Sequence, residues 1–332
     1  MKRSKILLRF LAVILAVILA ALLLYRKLES PPGTGRNIEL ALERGWGVRT
    51  TAAALEDSGL VRSRWMVLLR YRRFFNGQSL QAGRYALSDT MAIDTMLTMF
   101  TRGDVIPVPT VWVTLPPGLR QEESLELLSS AMGFPPEELE SLSRDNEFLS
   151  AMNIPCFEGY LFPETYEFAD TLRSWQVVNR IVATGQGVMD AGWKARCEAV
   201  GLTPFQGVIL ASIVEREAAS DGERDLVAGV FINRLRRGMR LESCATVQYA
   251  LGEVREQLLF SDLEIESPYN TYRNNGLPPG PICSPGTASL MAVAEPDTTE
   301  GYLFFVSRGD GSGEHLFATT AAGHARNINA VR

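Results

Sequence analysis

An almost uninterrupted apolar stretch runs from Ile6 to Tyr25, near the start of this 332-residue chain. Its only charged residue is Arg9. A helix of about 20 apolar residues is long enough to cross the hydrocarbon core of a bilayer, which is about 30 Å thick. The sequence therefore predicts one transmembrane helix, and we assign residues 1–28 to a short cytoplasmic tail and this anchor.

The charges beside the stretch predict its orientation. Three basic residues precede it, namely Lys2, Arg3 and Lys5. Basic residues are retained in the cytoplasm, so we expect the rest of the chain on the outer, periplasmic side of the inner membrane. Arg26 and Lys27 follow the stretch and weaken this asymmetry. A cleaved signal peptide is the alternative, with small residues at Ala20–Ala21, but the apolar run continues past them and favours an uncleaved anchor.

Composition and motifs narrow the classes of function. A net charge of -5 argues against a nucleic-acid partner. The chain has two histidines, His315 and His324, and its cysteines show no C-x-x-C spacing, so we predict no metal and no cofactor. It also lacks G-x-S-x-G, H-E-x-x-H and P-loop motifs. If the exported part is an enzyme, we therefore expect its proton donor to be a carboxylic acid.

The four cysteines are interpreted as free thiols, although export would permit a disulfide. They are Cys156, Cys197, Cys244 and Cys283. If one pair forms, Cys244 with Cys283 is preferred, because both lie in segments that we place near the same cleft.

The remaining chain divides by composition into a linker and two folded parts. Residues 29–36 are rich in Pro and Gly and form a linker. Residues 37–104 form a small module of helices and strands, with Thr50 and Thr51 as candidate helix caps and a last helix closing on Gly103. Residues 105–332 form a larger domain. Helices and strands do not alternate strictly, so the predicted fold class is α+β.

Each of these parts has one further feature that the sequence predicts. The module contains the basic run "RYRRFF", which we interpret as a solvated or membrane-facing helix surface. Its two helices could also form a helix-turn-helix, but an exported chain meets no DNA. In the larger domain, "VIPVPTVWVTLPPG" (105–118) alternates as a β-strand does.

Polar side chains are concentrated among aromatic ones in two segments, "FEGYLFPETYEF" (157–168) and "SPYNTYRNNGLPPGPICSPG" (267–286). Aromatic side chains with polar tips suit the faces and hydroxyl groups of sugars. Long loops such as 267–286 are usually functional or disordered. The alternative is that these aromatic residues belong to the core.

The apolar stretch "ILASIVEREAAS" (209–220) carries two carboxylates, Glu215 and Glu217. Successive helical residues are rotated by about 100°, so these two side chains point to nearly opposite sides. Apolar surroundings favour a protonated carboxyl group, which makes a useful acid near neutral pH. Both helix faces have apolar neighbours, and either glutamate could instead be structural, paired with Arg216 or Arg224.

Several motifs in order resemble the YceG-like (MltG) endolytic peptidoglycan transglycosylases. The resemblance extends from about Asn37 to the C-terminus and is densest over 158–286. The motifs are "EGYLFPETY", "ASIVEREA", "ERDLVAGVFINRLRRGMRLESCATVQYALG", "SPYNTY" and "GLPPGPICSPG". The resemblance implies one transmembrane helix, a LysM-like subdomain at 37–104 and a mixed α/β YceG-like catalytic domain at 105–332.

The resemblance also implies an activity and a site. The activity is cleavage between N-acetylmuramic acid and N-acetylglucosamine within peptidoglycan strands, leaving 1,6-anhydro ends through a single glutamate. That glutamate falls on Glu217, and Glu215 would be structural. The implied substrate-binding residues are Glu158, Asn233, Asn270 and Tyr272.

The resemblance implies a setting as well. Peptidoglycan glycan strands would be the substrate, cell-wall synthesis enzymes would be partners, and cleavage would terminate the elongation of nascent strands. Two alternatives remain. One is a muramidase-type hydrolase that pairs Glu217 with a second carboxylate such as Glu158, and the other is a non-catalytic wall-binding scaffold.

Overall fold

A computed structural model describes residues 2–218, 220–253, 255 and 258–331. The side chains of residues 2–9 and of Asp221 lie outside the described part. This includes the basic side chains of Lys2, Arg3 and Lys5, from which the orientation in the membrane was predicted. The chain forms two compact units, Met1–Val108 and Pro109–Arg332. The boundary predicted from the sequence, after residue 104, falls slightly before this division.

The first unit begins with helix α1, Lys2–Glu29. Its segment Phe10–Glu29 has a mean hydropathy of 2.3, and none of it is buried inside the protein. A helix of this length and composition is able to cross a membrane.

The rest of the first unit is a two-stranded sheet packed with three helices. Asn37 pairs with Ser88 at one end of this antiparallel sheet and Leu42 with Gly83 at the other. The elements are β1 (Asn37–Leu42), α2 (Val48–Asp57), α3 (Arg64–Arg70) with a π-helical turn (Tyr71–Phe75), β2 (Gly83–Ser88) and α4 (Ile93–Arg102). The core includes fully buried Leu55, Val67, Tyr85, Leu97 and Phe100.

One of the two predicted helix ends in this unit is correct. Helix α4 ends at Gly103 in the left-handed conformation, as predicted, because glycine adopts positive φ without strain. The predicted caps Thr50 and Thr51 are wrong, since α2 already begins after Gly47. The Thr51 hydroxyl lies inside the helix and donates to the Gly47 carbonyl at 3.2 Å.

The second unit contains two hydrophobic cores. The first is built around strands β3 (Thr110–Thr114) and β4 (Thr165–Ala169), which are antiparallel. Its helices are α5 (Gln121–Met132), α6 (Pro136–Arg144), α7 (Asn146–Ala151) and α8 (Ser174–Val188). Strand β3 is shorter than the alternating stretch predicted for 105–118, because Pro107 and Pro109 have no N–H to donate to a neighbouring strand.

The second core of this unit surrounds helix α10 (Pro204–Glu217). Its other elements are α9 (Ala191–Ala199), α11 (Arg224–Arg236), α12 (Cys244–Leu251), α13 (Thr287–Ala294), β5 (Phe304–Ser307) and β6 (His315–Ala318). The last helix, α14 (Ala321–Val331), lies against β5 and β6. Thr203 caps α10 by accepting from the Gln206 N–H, and every residue from Gly207 to Val214 is buried. The helix therefore runs through the middle of this core and ends at its edge with Glu217.

Candidate active site

The last turn of α10 separates the two glutamates, as their spacing predicts. Only 6% of the Glu215 side chain is exposed, and its Oε1 lies 3.2 Å from Nη1 of Arg224. Its Oε2 accepts a hydrogen bond from the Gly286 N–H at 2.9 Å. Arg224 in turn donates to Ser289 Oγ at 2.7 Å. Glu215 thus connects α10 to α11 and to the start of α13, which is a structural role.

Glu217 is partly buried and faces a different helix. Its Oε1 accepts a hydrogen bond from Ser243 Oγ at 2.5 Å and one from the Ala245 N–H at 3.3 Å. Ser243 is the N-cap residue of α12, so the carboxylate lies at the N-terminus of that helix. The positive end of the helix dipole and the two donors together hold the carboxylate in one orientation.

A buried network of hydroxyl groups supports Ser243 from behind. Thr271 Oγ1 accepts from the Ser243 N–H at 3.0 Å and lies 2.8 Å from Thr246 Oγ1. The Thr246 hydroxyl also donates to the Ser243 carbonyl at 2.7 Å. None of these three residues was predicted from the sequence. The signal for Ser243 was its N-cap position before the apolar run "CATVQYAL", but nothing local connects that cap to Glu217.

Tyr272 lies beside the same end of α12. Its hydroxyl oxygen is 3.2 Å from Cys244 Sγ, and Cys244 is the first residue of the helix. Burial raises the pKa of Tyr272, and the nearby charges of Glu217 and Glu242 raise it further, so the phenol stays protonated. Tyr272 therefore lies close enough to Glu217 to feel its charge, and its role in substrate binding stays a prediction.

Asn270 requires a correction. Its side chain is fully buried, and Nδ2 donates to the carbonyls of Leu263 and Ile265, both at 2.9 Å. Its Oδ1 accepts from the Tyr272 N–H at 3.0 Å. A side chain so enclosed does not reach a glycan directly, so Asn270 shapes the loop that presents Tyr272.

The α11 helix contributes Asn233 and its neighbour Arg234. Asn233 Nδ2 donates to the Tyr302 carbonyl at 3.1 Å, and its predicted role in substrate binding stays a prediction. Arg234 is 7% exposed and donates to the carbonyls of Leu303 at 2.6 Å and Leu241 at 2.8 Å. Burial lowers the pKa of Arg234, an effect opposed by the charge of Glu242. Arg234 was not predicted from the sequence as a residue of the site.

Glu158 lies near the C-terminal part of α12 instead. Its Oε1 accepts from the Gln121 N–H at 3.1 Å, and its Oε2 accepts from the Tyr249 hydroxyl at 3.2 Å. The Tyr249 ring centroid is 4.7 Å from that of Tyr269 and 5.3 Å from the Arg120 guanidinium. Burial raises the pKa of Glu158 from its usual 4.5 to about 7. The carboxyl groups of Glu158 and Glu217 thus lie in different environments, one near the C-terminal part of α12 and the other at its N-terminus.

This raised pKa predicts a pH dependence of stability. Between the usual pKa of 4.5 and the folded value of about 7, the folded protein keeps a proton on Glu158 that the unfolded chain releases. The contribution of Glu158 to the free energy of unfolding is therefore largest at low pH and falls as the pH rises through about 7, by about 3 kcal/mol in all.

The variant Glu158→Gln removes this titration. Measured by thermal unfolding from pH 4.5 to pH 9, wild type should lose stability relative to the variant as the pH rises through about 7, and the divergence should level off roughly one pH unit above that. Parallel pH profiles for the two proteins would contradict the raised pKa.

The preferred disulfide is absent, and all four cysteines are free. Cys283 is buried, and its thiol donates to the Ser212 carbonyl at 3.3 Å. Burial holds the pKa of Cys283 well above its usual value. Cys244 instead faces Tyr272, so the two sulfur atoms have separate partners.

A cavity of about 590 Å³ lies elsewhere, at the N-terminal end of α10. Its lining includes Tyr160, Trp193 and Phe205. The 14 residues of α10 extend about 20 Å, so Glu217 at the opposite end of the helix lies far from this cavity. The hydrogen-bonded carboxylate, and not the volume of a cavity, locates the candidate active site.

A glutamate held at a helix N-terminus, with a protonated tyrosine beside it, defines a candidate carboxylate acid–base enzyme on a mixed α/β fold. The sequence profile of the YceG-like family matches residues 40–330. The chain therefore belongs to the YceG-like family.

Known relatives are similar over most of the chain. An endolytic murein transglycosylase from Bacillus subtilis (strain 168) is 28% identical over 303 residues, covering 86% of this chain and 82% of the relative. One from Streptococcus pneumoniae (strain D39) is 27% identical and covers 88% of this chain, which spans 58% of that longer protein. A crystal structure of a yceG-like protein from Listeria monocytogenes has a TM-score of 0.59 at 28% identity, covering 88% of this chain and 99% of that one.

Proposed function

We propose that this chain is a membrane-anchored endolytic murein transglycosylase that cleaves between N-acetylmuramic acid and N-acetylglucosamine. Relatives that carry the name endolytic murein transglycosylase support the enzyme class. The observation that carries the proposal is Glu217, a partly buried carboxyl group oriented by Ser243 and the Ala245 N–H.

The proposed mechanism uses Glu217 twice. Its carboxyl group first protonates the glycosidic oxygen, and the bond between that oxygen and C1 of the muramic acid breaks. The resulting carboxylate then accepts the proton of the C6 hydroxyl while that oxygen bonds to C1 of the same sugar. The product is a 1,6-anhydro ring, Glu217 is protonated again, and no water is consumed. The hydroxyl already belongs to the reacting sugar, so proximity replaces a second catalytic carboxylate.

We assign the remaining site residues by what they contact. Tyr272 and Glu158 line the two ends of α12 and are the candidates for binding sugar hydroxyls, with Asn233 as a third. Asn270 is assigned a positioning role through the Tyr272 N–H. The assignment of residues 37–104 as a LysM-like subdomain is part of the same proposal.

Helix α1 supports a single-pass location in the cytoplasmic membrane, with the catalytic unit on the outer side. There the enzyme would meet nascent glycan strands and terminate their elongation, in contact with cell-wall synthesis enzymes.

Mass spectrometry of the products tests the reaction. Full-length protein in detergent is incubated with purified peptidoglycan, and internal fragments ending in 1,6-anhydromuramic acid are expected, lighter by one water than hydrolytic fragments. Reducing ends would instead support the hydrolase that pairs Glu217 with Glu158. Binding of peptidoglycan without any cleavage would support the scaffold.

A further inference from the structure

Helix α3 and the π-helical turn after it expose large apolar side chains next to arginines. Trp65 is 72% exposed, Leu69 48% and Phe74 52%, and Arg72 and Arg73 are exposed beside them. These five residues are called here the basic aromatic face. Single exposed apolar residues are ordinary, but three of them with two cations within three helical turns form a patch typical of an interaction surface.

The basic aromatic face does not contribute to the core of its own unit. From α3 that core takes Met66 and Val67 instead. Within the described residues, neither Arg72 nor Arg73 pairs with an acidic side chain closely enough to form a salt bridge. The face thus has both apolar area and positive charge available to a partner.

Direct contacts place this face beside the end of α1. Arg70 Nη1 lies 3.0 Å from Glu29 Oε1, in the last turn of α1. The same guanidinium lies 4.8 Å from the centroid of the Phe74 ring. At the other end of α3, Arg62 Nη2 donates to the Pro32 carbonyl at 3.0 Å. The face is therefore attached to the point where the chain leaves α1.

The depth of this point follows from helix geometry. Tyr25 closes the apolar stretch, and Glu29 lies about 6 Å further along α1 at 1.5 Å per residue. If α1 spans a bilayer, Glu29 lies at the level of the lipid headgroups. Tryptophan is enriched at that level, and arginine binds lipid phosphates with bidentate hydrogen bonds.

We propose that the basic aromatic face docks on the headgroup region of the membrane that α1 spans. Arg72 and Arg73 would bind the phosphates of anionic phospholipids, while Trp65 and Phe74 would insert at the boundary with the acyl chains. This inference rests on the proposed anchoring by α1. It gives the first unit a second contact with the bilayer, which orients it about the anchor.

Quenching of Trp65 fluorescence tests the docking. Full-length protein is reconstituted into phosphatidylcholine vesicles with increasing phosphatidylglycerol, with or without lipids brominated near the headgroup. The Trp65 signal is the difference between wild type and Trp65→Phe. We expect blue-shifted emission that is quenched by the bromine atoms and increases with phosphatidylglycerol.

Charge variants test whether Trp65 is held at the lipid by Arg72 and Arg73 or only lies close to the membrane because α1 is near. Arg72→Gln with Arg73→Gln should weaken docking roughly 30-fold, seen as a loss of quenching at intermediate phosphatidylglycerol. The matched control is Arg236→Gln with Arg237→Gln. These two adjacent arginines are exposed and belong to the second unit, and within the described residues neither forms a salt bridge with an acidic side chain. Their replacement should leave the quenching unchanged.

Flotation of the vesicles after alkaline extraction measures anchoring by α1 independently of the docking of the basic aromatic face. If the protein stays with the vesicles but Trp65 shows solvent-like, unquenched emission, the docking is refuted and the anchor stands. Blue-shifted emission without bromine quenching would also refute it, in favour of contact with a second copy of this chain. If the protein does not float, both the anchor and the docking are refuted.

Discussion

Replacing Glu217 by glutamine should lower the rate of peptidoglycan cleavage roughly 10³-fold, because the proposed mechanism has no other proton donor to the glycosidic oxygen. The fold should survive. The amide oxygen of glutamine can still accept the hydrogen bonds that Ser243 Oγ and the Ala245 N–H donate to Glu217 Oε1. Release of soluble fragments from purified peptidoglycan measures the rate, and circular dichroism checks the fold.

Glu242 offers a matched control for Glu217. It is a partly exposed carboxylate whose Oε2 lies 3.2 Å from Nη1 of Arg234, in the same part of the molecule. Glu242→Gln removes a negative charge without removing the proposed acid, so it should keep most of the activity. Cleavage by Glu217→Gln at a rate near that of wild type would disprove the assignment of the acid.

Replacing Glu215 by alanine should lower the stability of the fold and leave the rate of cleavage nearly unchanged. The change removes the buried ion pair with Arg224 and the hydrogen bond that the Gly286 N–H donates to the carboxylate. Removing one partner of such a pair typically costs about 3–5 kcal/mol, because the remaining charge loses its compensation. Arg224 keeps its hydrogen bond to Ser289, so we expect the lower end, about 3 kcal/mol.

Thermal unfolding of the full-length protein in detergent measures this loss, which should lower Tm by roughly 10 °C. At a temperature where the variant is folded, its cleavage rate per folded molecule should remain within a few-fold of wild type. Glu215→Gln is the milder comparison, because its amide oxygen can still accept from the Gly286 N–H. An unchanged Tm for Glu215→Ala would show that the pair contributes little.

Some features of this protein were predictable from the sequence because they depend only on residues that are close neighbours along the chain. The apolar stretch before Tyr25 forms a continuous helix, since its length and composition are visible in one window. Gly103 ends α4 because positive φ favours glycine. The divergence of Glu215 and Glu217 follows from helical rotation alone, although the choice of Glu217 as the acid came from the family resemblance.

Only the tertiary structure decided what surrounds Glu217 and what happens to Asn270. Ser243 lies 26 positions after Glu217 and Thr271 another 28 after Ser243, so their hydrogen bonds depend on how α10, α12 and the loop pack together. The family resemblance implied that Asn270 binds substrate, yet its side chain is fully buried, because its amide satisfies main-chain groups of the loop. Helix and cap preferences act between near neighbours, whereas burial and long-range hydrogen bonds are set by which elements pack together, and no single stretch of sequence contains that information.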